Sequence, residues 1–291
     1  MLSVGNKNPG YQNQNESNLP NLTDEEYELF RDLIYKKCAI VMKESKKSLL
    51  ANRLGRRLRL FNLTNYKDYY KYLLTTEGYR KEFTNMVDCV TTNKTDFFRN
   101  QKHFQILTNL VLPELIANKE ANNRRTLRIW SAGCSSGEEP YSLAIVLHML
   151  LGAEISNWDV RILATDISTR MLEKAKSGIY RLEDVEQLPQ NIKKSYFLKG
   201  AGRAKVKDHL KKIIRFDYLN FIEPFNSIKE KFDIVFCRNV IIYFDRETQI
   251  KLIGKFHNIL LPQGYIFLGH SESMHSISDR FTFVSPSVYH K

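Results

Sequence analysis

LRIWSAGCSSGEEPYSLAIVLHMLL (127–151) decides the fold. LRIWSAG (127–133) is a short apolar run ending in small residues, the pattern of a buried strand. Gly133-Cys134-Ser135-Ser136-Gly137 follows it, and EEPYSLAIVLHMLL (138–151) then reads as a helix whose proline falls in the tolerant first turn. Strand, glycine-bearing loop and helix in that order form the ligand-binding corner of an open α/β sheet. Glycines let the backbone come close to a ligand, and the helix N-terminus offers free N–H groups. The plain alternative is a tight turn with no ligand.

The pattern continues outward. DVRILATD (159–166) is a second strand, and STRMLEKAKSG (168–178) a helix closed by Gly178. FDIVFCRN (232–239) and GYIFLGH (264–270) are further strands around the helix ETQIKLIGKFHNIL (247–260). FTFVSPSVYHK can close the sheet with an antiparallel pair. Alternating strands and helices predict a parallel sheet covered on both faces. Residues 180–215 fit the alternation poorly and read as an insertion. Upstream, Thr23 followed by Asp24, Glu25 and Glu26 is a helix start. Leu50, Leu54, Leu58 and Phe61, then Tyr66, Tyr69, Tyr70, Leu73 and Leu74, recur at helical spacing. The expected organisation is a mobile tail (1–20), a helical N-terminal domain (21–90) and an α/β domain (91–291) with an insertion at about 180–215.

The chain has 291 residues, 43% of them hydrophobic, with a net charge of +12. It can bury a core, and it expects an acidic partner: nucleic acid, a membrane surface or an acidic protein. No apolar run is long enough to span a bilayer, and no apolar segment near the start reads as a signal peptide. The four cysteines lie far apart, without a zinc spacing or a disulfide framework, so a reducing cytoplasm is expected.

Asp166 at the end of the second strand can accept hydrogen bonds from both ribose hydroxyls of a nucleoside. Glu138 and Glu139, directly after the loop, would repel a diphosphate. They suit the ammonium group of S-adenosyl-L-methionine, so that ligand is preferred over a dinucleotide. Gly133-x-Ser135-x-Gly137 also matches a serine-hydrolase elbow, with Asp233 or Asp245 and His270 in the right order. No oxyanion segment precedes that elbow.

Seven segments together resemble the CheR-type chemotaxis receptor methyltransferases. They are NRLGRRLR (52–59), TTNKTDFFRNQKHF (91–104), IWSAGCSSGEEPYSLAI (129–145), ATDIS (164–168), SGIYR (177–181), FCRNVIIYFD (236–245) and GHSES (269–273). The resemblance spans roughly residues 24–290, and seven motifs in order are specific where one is weak. It implies a Rossmann-like class I S-adenosylmethionine-dependent methyltransferase domain with a small β-subdomain, preceded by an all-α domain. It also implies a protein-glutamate O-methyltransferase that forms glutamyl methyl esters on the cytoplasmic helical bundle of chemoreceptors, releasing S-adenosyl-L-homocysteine. Asn93, Thr95 and Arg99 match cofactor contacts, as does Gly133 of the loop; Glu139, the second acid of GEE, matches a cofactor-contacting acid, and Asp166 the ribose ligand. Asn220 and Phe221 fall at an adenine-side Asn-Leu pair, with Phe in place of Leu. Arg238 and Asn239 match contacts after the fourth strand, and Tyr243 a tyrosine near the transferred methyl. The segment Leu198–Lys205 is shorter than in members that dock a receptor C-terminal pentapeptide, so no such tether is expected.

The chemistry suits these residues. A glutamate side chain in water titrates at about 4.3 and is already ionised at neutral pH, so its methylation needs no general base. Positioning and exclusion of water carry the reaction. Cys237-Arg238-Asn239-Val240 lacks the Pro-Pro-aromatic platform of enzymes that methylate planar amines. Arg99 and Arg238 can hold carboxylates through two hydrogen bonds, and Tyr243 can place its ring or hydroxyl near a sulfonium. The simpler alternatives are a surface ion pair for Arg99 and a packed aromatic for Tyr243. His103, His270, Cys134 and Cys237 read as structural residues.

The charge is uneven. Residues 43–59 carry +6 and residues 193–215 carry +8, leaving the remainder slightly acidic. Arg53, Arg56 and Arg59 step along one helical face, with Arg57 flanking the apolar stripe. This face is expected to dock an acidic receptor helix. Nucleic acid is not expected, because few aromatics interleave with the arginines and no RNA module is present. The expected protein is a cytoplasmic monomer without metal or membrane insertion. The other readings are the hydrolase and a non-catalytic methyltransferase-like binding module.

Overall fold

The computed structural model describes residues 20–272, 274 and 279–291. The tail expected at 1–20 therefore lies almost wholly outside the described residues, as does Ser273. Helices α1 (Asp24–Cys38), α2 (Lys47–Leu60), α3 (Tyr66–Leu74) and α4 (Thr76–Val90) come first. Thr23 caps α1 as its sequence suggests: its side chain accepts from the Glu26 amide, and the Glu26 carboxylate accepts from the Thr23 amide. Tyr27, Phe30, Leu50, Leu54, Leu58, Tyr66, Tyr69 and Leu73 bury together as the core of this helical part.

Helices α5 (Gln101–Ile106) and α6 (Leu112–Ala121) lead into the α/β part. There follow β1 (Thr126–Ala132), α7 (Glu138–Leu151), β2 (Asp159–Asp166), α8 (Thr169–Ser177), β3 (Ile179–Arg181), α9 (Leu182–Glu186), α10 (Gln190–Tyr196), β4 (Phe197–Gly200), β5 (Arg203–Val206), α11 (Asp208–Lys211) and β6 (Ile214–Tyr218). The chain ends with β7 (Phe232–Cys237), α12 (Arg246–Ile259), β8 (Leu260–Leu268), β9 (Thr282–Ser285) and β10 (Val288–His290). The main sheet has the order β6-β2-β1-β7-β8-β10-β9, with β10 antiparallel to both neighbours. The antiparallel closure expected from FTFVSPSVYHK is present. The chain starts mid-sheet at β1, moves outward to β2 and β6, and returns to β7 on the other side. That reversal makes a switch point between β1 and β7, where ligands bind in open α/β sheets.

Both faces of the sheet are covered, as its apolar strands require. Ile234 and Phe236 of β7 point into the core on one face, and Val235 and Cys237 into the core on the other. Trp130 is fully buried, and its indole N–H donates to Thr165 Oγ1 at 2.9 Å.

Part of 180–215 forms a small separate sheet of order β3-β5-β4. Ala201 and Gly202, both with positive φ, turn β4 tightly into β5. β6 differs from expectation: it begins at Ile214, inside that range, yet pairs in parallel with β2 in the main sheet. Among the described residues no helix is long and apolar enough to cross a membrane.

The arginine stripe of α2 is divided by packing. Arg57 donates through Nε to Glu82 at 2.6 Å, and Tyr69 donates to the same Glu82 oxygen at 2.7 Å. Arg53 donates to the carbonyls of Val90 and Thr91 at 2.8 and 2.9 Å, holding the end of α4. Arg56 and Arg59 are exposed. Of the four arginines, Arg57 is therefore engaged by Glu82, only 1% exposed, and Arg53 by two backbone carbonyls, which leaves Arg56 and Arg59 the most open to solvent. Arg57→Ala leaves that buried carboxylate without its ion partner. The expected cost is about 3 kcal/mol, measured as a lowered midpoint in reversible denaturant unfolding.

Candidate functional site

A cavity of ≈ 400 Å³ opens at the switch point. The loop after β1 forms one side. Gly133 (φ +86) and Gly137 (φ +95) are left-handed, and a Cβ on Gly133 would sit 2.4 Å from a Val240 methyl. The loop therefore needs glycine both for its turn and for its close approach to the segment after β7. Gly133 and Cys134 donate their amides to the Thr165 carbonyl at 2.8 and 2.9 Å, tying the loop to the end of β2.

Asp166 ends β2 and is 7% exposed. Its Oδ2 accepts from the Ser135 amide at 2.7 Å and its Oδ1 from the Ser168 amide at 2.8 Å. Burial pushes its pKa up to about 6, against the lowering effect of these amides, and the neighbouring Asp88 carboxylate adds to the rise. Each carboxylate oxygen has a second lone pair for a further donor.

The two acids after the loop part company. Glu138 turns inward, accepts from Ser136 Oγ at 2.7 and 2.9 Å and does not line the cavity. Glu139 lines it. Ser131 Oγ donates to Glu139 Oε1 at 2.7 Å, and the Arg238 guanidinium lies 3.2 Å from Oε2. Burial raises the Glu139 pKa despite the opposing pull of Arg238 and Ser131, and burial lowers that of Arg238. Arg238 also donates to the Arg99 carbonyl, while its buried Nε has no hydrogen-bond partner among the described residues.

Asn93, Thr95 and Arg99 line the same cavity from the segment before α5. Arg99 is exposed, and its guanidinium donates to the Lys94 carbonyl at 2.9 Å. Asn220 and Phe221 line the opposite wall, where the Asn220 amide donates to the Lys37 carbonyl at 2.7 Å. Asn239 is left-handed at φ 59, and half-buried Tyr243 completes this wall. The structure thus brings Asn93, Thr95, Arg99, Gly133, Glu139, Asp166, Asn220, Phe221, Arg238, Asn239 and Tyr243 to one cavity. Arg53, Arg56, Arg57 and Arg59 do not line it.

The hydrolase reading fails on geometry. Ser135 Oγ donates to the Asn93 carbonyl at 2.8 Å rather than to an imidazole. Asp233 pairs with Lys119 at 2.7 Å and accepts from the Arg128 amide, and Asp245 caps α12 by accepting from the Thr248 amide. His103 is buried and its pKa falls to about 4, chiefly through burial, which suits the structural role expected of it. Cys134 and Cys237 are buried free thiols, pushed far up by burial.

Two contributions escaped the sequence. Ile40, Val41, Met42, Lys43, Lys46 and Leu49, between and beside α1 and α2, form a cavity wall. Val41 donates its amide to the Tyr243 carbonyl at 2.8 Å. This connector carries no motif and no periodic pattern. Glu272, in the GHSES motif, is buried behind the segment after β7, and its place in the motif gives no sign of what it holds.

Fold and cavity define a class, a doubly wound α/β enzyme with its site at the carboxyl ends of β1, β2 and β7 and a helical region across the mouth. The family model "CheR methyltransferase, SAM binding domain" matches residues 93–290, and "CheR methyltransferase, all-alpha domain" matches 25–91. Chemotaxis protein methyltransferase 2 of Pseudomonas aeruginosa is 40% identical over 271 residues, covering 92% of this chain and 93% of its own. The chemotaxis protein methyltransferases of Borreliella burgdorferi and Escherichia coli are each 37% identical, covering 96% and 92% of this chain and 99% and 91% of their own.

The chain belongs to the CheR methyltransferase family. It is an S-adenosylmethionine-dependent methyltransferase of chemotaxis. The cavity fits that cofactor: Asp166 has lone pairs to spare, and Arg238 Nε is a buried donor without a partner among the described residues.

Proposed function

We propose that this enzyme methylates glutamate side-chain carboxylates on the cytoplasmic helices of chemoreceptors, giving glutamyl methyl esters. The observation that supports this best is the sorting of charge around the cavity. The buried acid Asp166 and the half-buried Glu139 lie with the end of β2 and the loop after β1, whereas exposed Lys43 and Lys46 line the wall of the connector that bonds Tyr243. A carboxylate entering along that wall meets cations.

The residue roles follow. Asp166 accepts from the ribose hydroxyls, and Asn220 with Phe221 flanks the adenine. Glu139, paired with Arg238, faces the ammonium group of the cofactor, while Asn93, Thr95 and Arg99 close over its amino acid end. S-adenosylmethionine supplies an electrophilic methyl group on a sulfonium. Tyr243 presents its ring or hydroxyl where positive charge is lost. The acceptor carboxylate arrives already ionised, so these residues need only align it and exclude water. Arg56 and Arg59 attract the acidic receptor helix. The tight β4–β5 turn supports action without a receptor C-terminal tether.

The direct test is labelled methyl transfer to a purified receptor cytoplasmic fragment. The label should be lost in mild base, as an ester is, and a fragment without its C-terminal tail should be methylated as fast as the intact one. Base-stable label would reject the ester. A second test uses pH: Asp166, whose pKa burial raises to about 6, accepts from both ribose hydroxyls far better as a carboxylate than as the acid. Affinity for S-adenosylhomocysteine should be flat above that value and weaken by about tenfold per unit below it, read by calorimetry. Asp166→Asn should abolish this dependence. A third concerns docking. Arg56→Glu with Arg59→Glu should keep the affinity for S-adenosylhomocysteine but raise KM for the receptor fragment by about tenfold at low salt, less at high salt.

A further inference from the structure

We propose that Glu272 is a positioning residue for methyl transfer, a buried carboxylate that holds the Asn239–Tyr243 segment in its working shape. This rests on the reading of that segment as part of the methyl-transfer site. Glu272 follows β8 and is 5% exposed. Its Oε2 accepts from the Asn239 amide at 3.0 Å and also from the Gly269 amide, while its Oε1 accepts from the Ile242 amide at 3.2 Å. One carboxylate thus gathers backbone N–H groups from two loops that leave adjacent parallel strands, β7 and β8.

The segment needs such a hold. Asn239 sits at φ 59, a left-handed turn that asparagine takes more readily than other side-chain-bearing residues but that still has to be kept in one orientation. Ile242 precedes Tyr243, so the Glu272 Oε1 contact holds the 241–242 peptide, one peptide before the tyrosine. From the other side the Val41 amide donates to the Tyr243 carbonyl. The tyrosine backbone is therefore held between the helical connector and Glu272. Gly269 makes the clamp possible: a Cβ there would lie 2.6 Å from Glu272 Oε2 and 2.7 Å from the Asn239 nitrogen. The far side of Glu272 is anchored too, since Ser287 Oγ donates to its carbonyl at 3.3 Å. Glu272 does not line the cavity, so it acts only through the groups it holds.

Glu272→Gln tests this. The amide keeps the size of the side chain but sets an NH2 group against an N–H donor at one end of the clamp. Amide exchange should speed up by roughly tenfold in the peptide spanning 239–244, with the central strand 126–132 unchanged. The kcat for receptor methylation should fall by about tenfold or more, while KM for the receptor fragment stays within about twofold. Rescue should be graded. Glu272→Asp keeps the buried charge but is one methylene shorter, so it should move both readouts in the same direction, and it carries the test if the Gln variant does not fold. Unchanged exchange in 239–244, unchanged kcat, or a loss of kcat accompanied by faster exchange throughout the protein would each overturn the clamp. If the wild type methylates no receptor fragment, the functional reading fails instead, and exchange alone still decides whether Glu272 holds the segment.

Discussion

The site depends on an ion pair at the switch point, between buried Arg238 and half-buried Glu139. β1 and β7 pair in parallel as far as Ser131 and Phe236, and beyond them the chains leaving the two strands diverge to leave a cleft. Glu139, reached through the loop after β1, and Arg238, directly after β7, meet across that gap at 3.2 Å. Arg238 could not stay buried alone, because an unpaired ion in the interior costs several kcal/mol. The pair therefore commits the β1 loop and the β7 exit to one arrangement. Ser131, inside β1, completes the shell around Glu139. On the residue roles proposed above both contact the cofactor, and the pairing preorganises them before any ligand binds.

The helical part is a working wall of the cleft rather than an appendage. Asp88 in α4 accepts from the Thr169 hydroxyl and the Arg170 amide, each at 3.2 Å, and so places a carboxylate at the N-terminus of α8. Arg53 holds the end of α4 just before the strip that contributes Asn93, Thr95 and Arg99. Asn220 reaches the Lys37 carbonyl, Tyr35 donates to Asp245, and Val41 meets Tyr243. These ties join the helices to residues at the ends of β2, β6 and β7. On the docking proposed above, a receptor helix against α2 would thereby be oriented relative to the cavity, not merely captured near it.

Much of this was legible in the sequence because the main strands are apolar runs bounded by glycines, acids or small residues. LRIWSA, DVRILATD and FDIVFC became strands within a residue or two, and the loop, Asp166 and the β7 exit converge because an α/β sheet gathers the carboxyl ends of its parallel strands at one edge. What was not legible depends on tertiary packing. Ile214–Tyr218 is half-exposed along one sheet edge, so its burial pattern does not mark it as a strand. Arg57 looked like surface because helical spacing cannot show that Glu82, in another helix, needs a cation. The 39–46 connector has no pattern, since its contribution is one backbone amide and a few wall contacts. Glu272 stood inside a recognised motif, but only the fold brings it beneath Asn239.

The distribution of positive charge has a consequence for turnover. On the function proposed above, a carboxylate becomes a neutral ester and a sulfonium becomes a neutral thioether, so each reaction removes one charge from either partner. A mouth lined by Lys43 and Lys46, beside a helix that exposes Arg56 and Arg59, attracts the unmodified acidic helix more strongly than the methylated one. Each exposed pair is worth only about 0.2–1 kcal/mol and is screened by salt, so the attraction stays weak enough to reverse. The Glu139–Arg238 pair, with Arg238 buried and Glu139 half-buried, is screened less. Strong electrostatics thus preorganise the cofactor side, and weak electrostatics select the substrate side. That division suits an enzyme that must visit many similar glutamates and leave each one after modification.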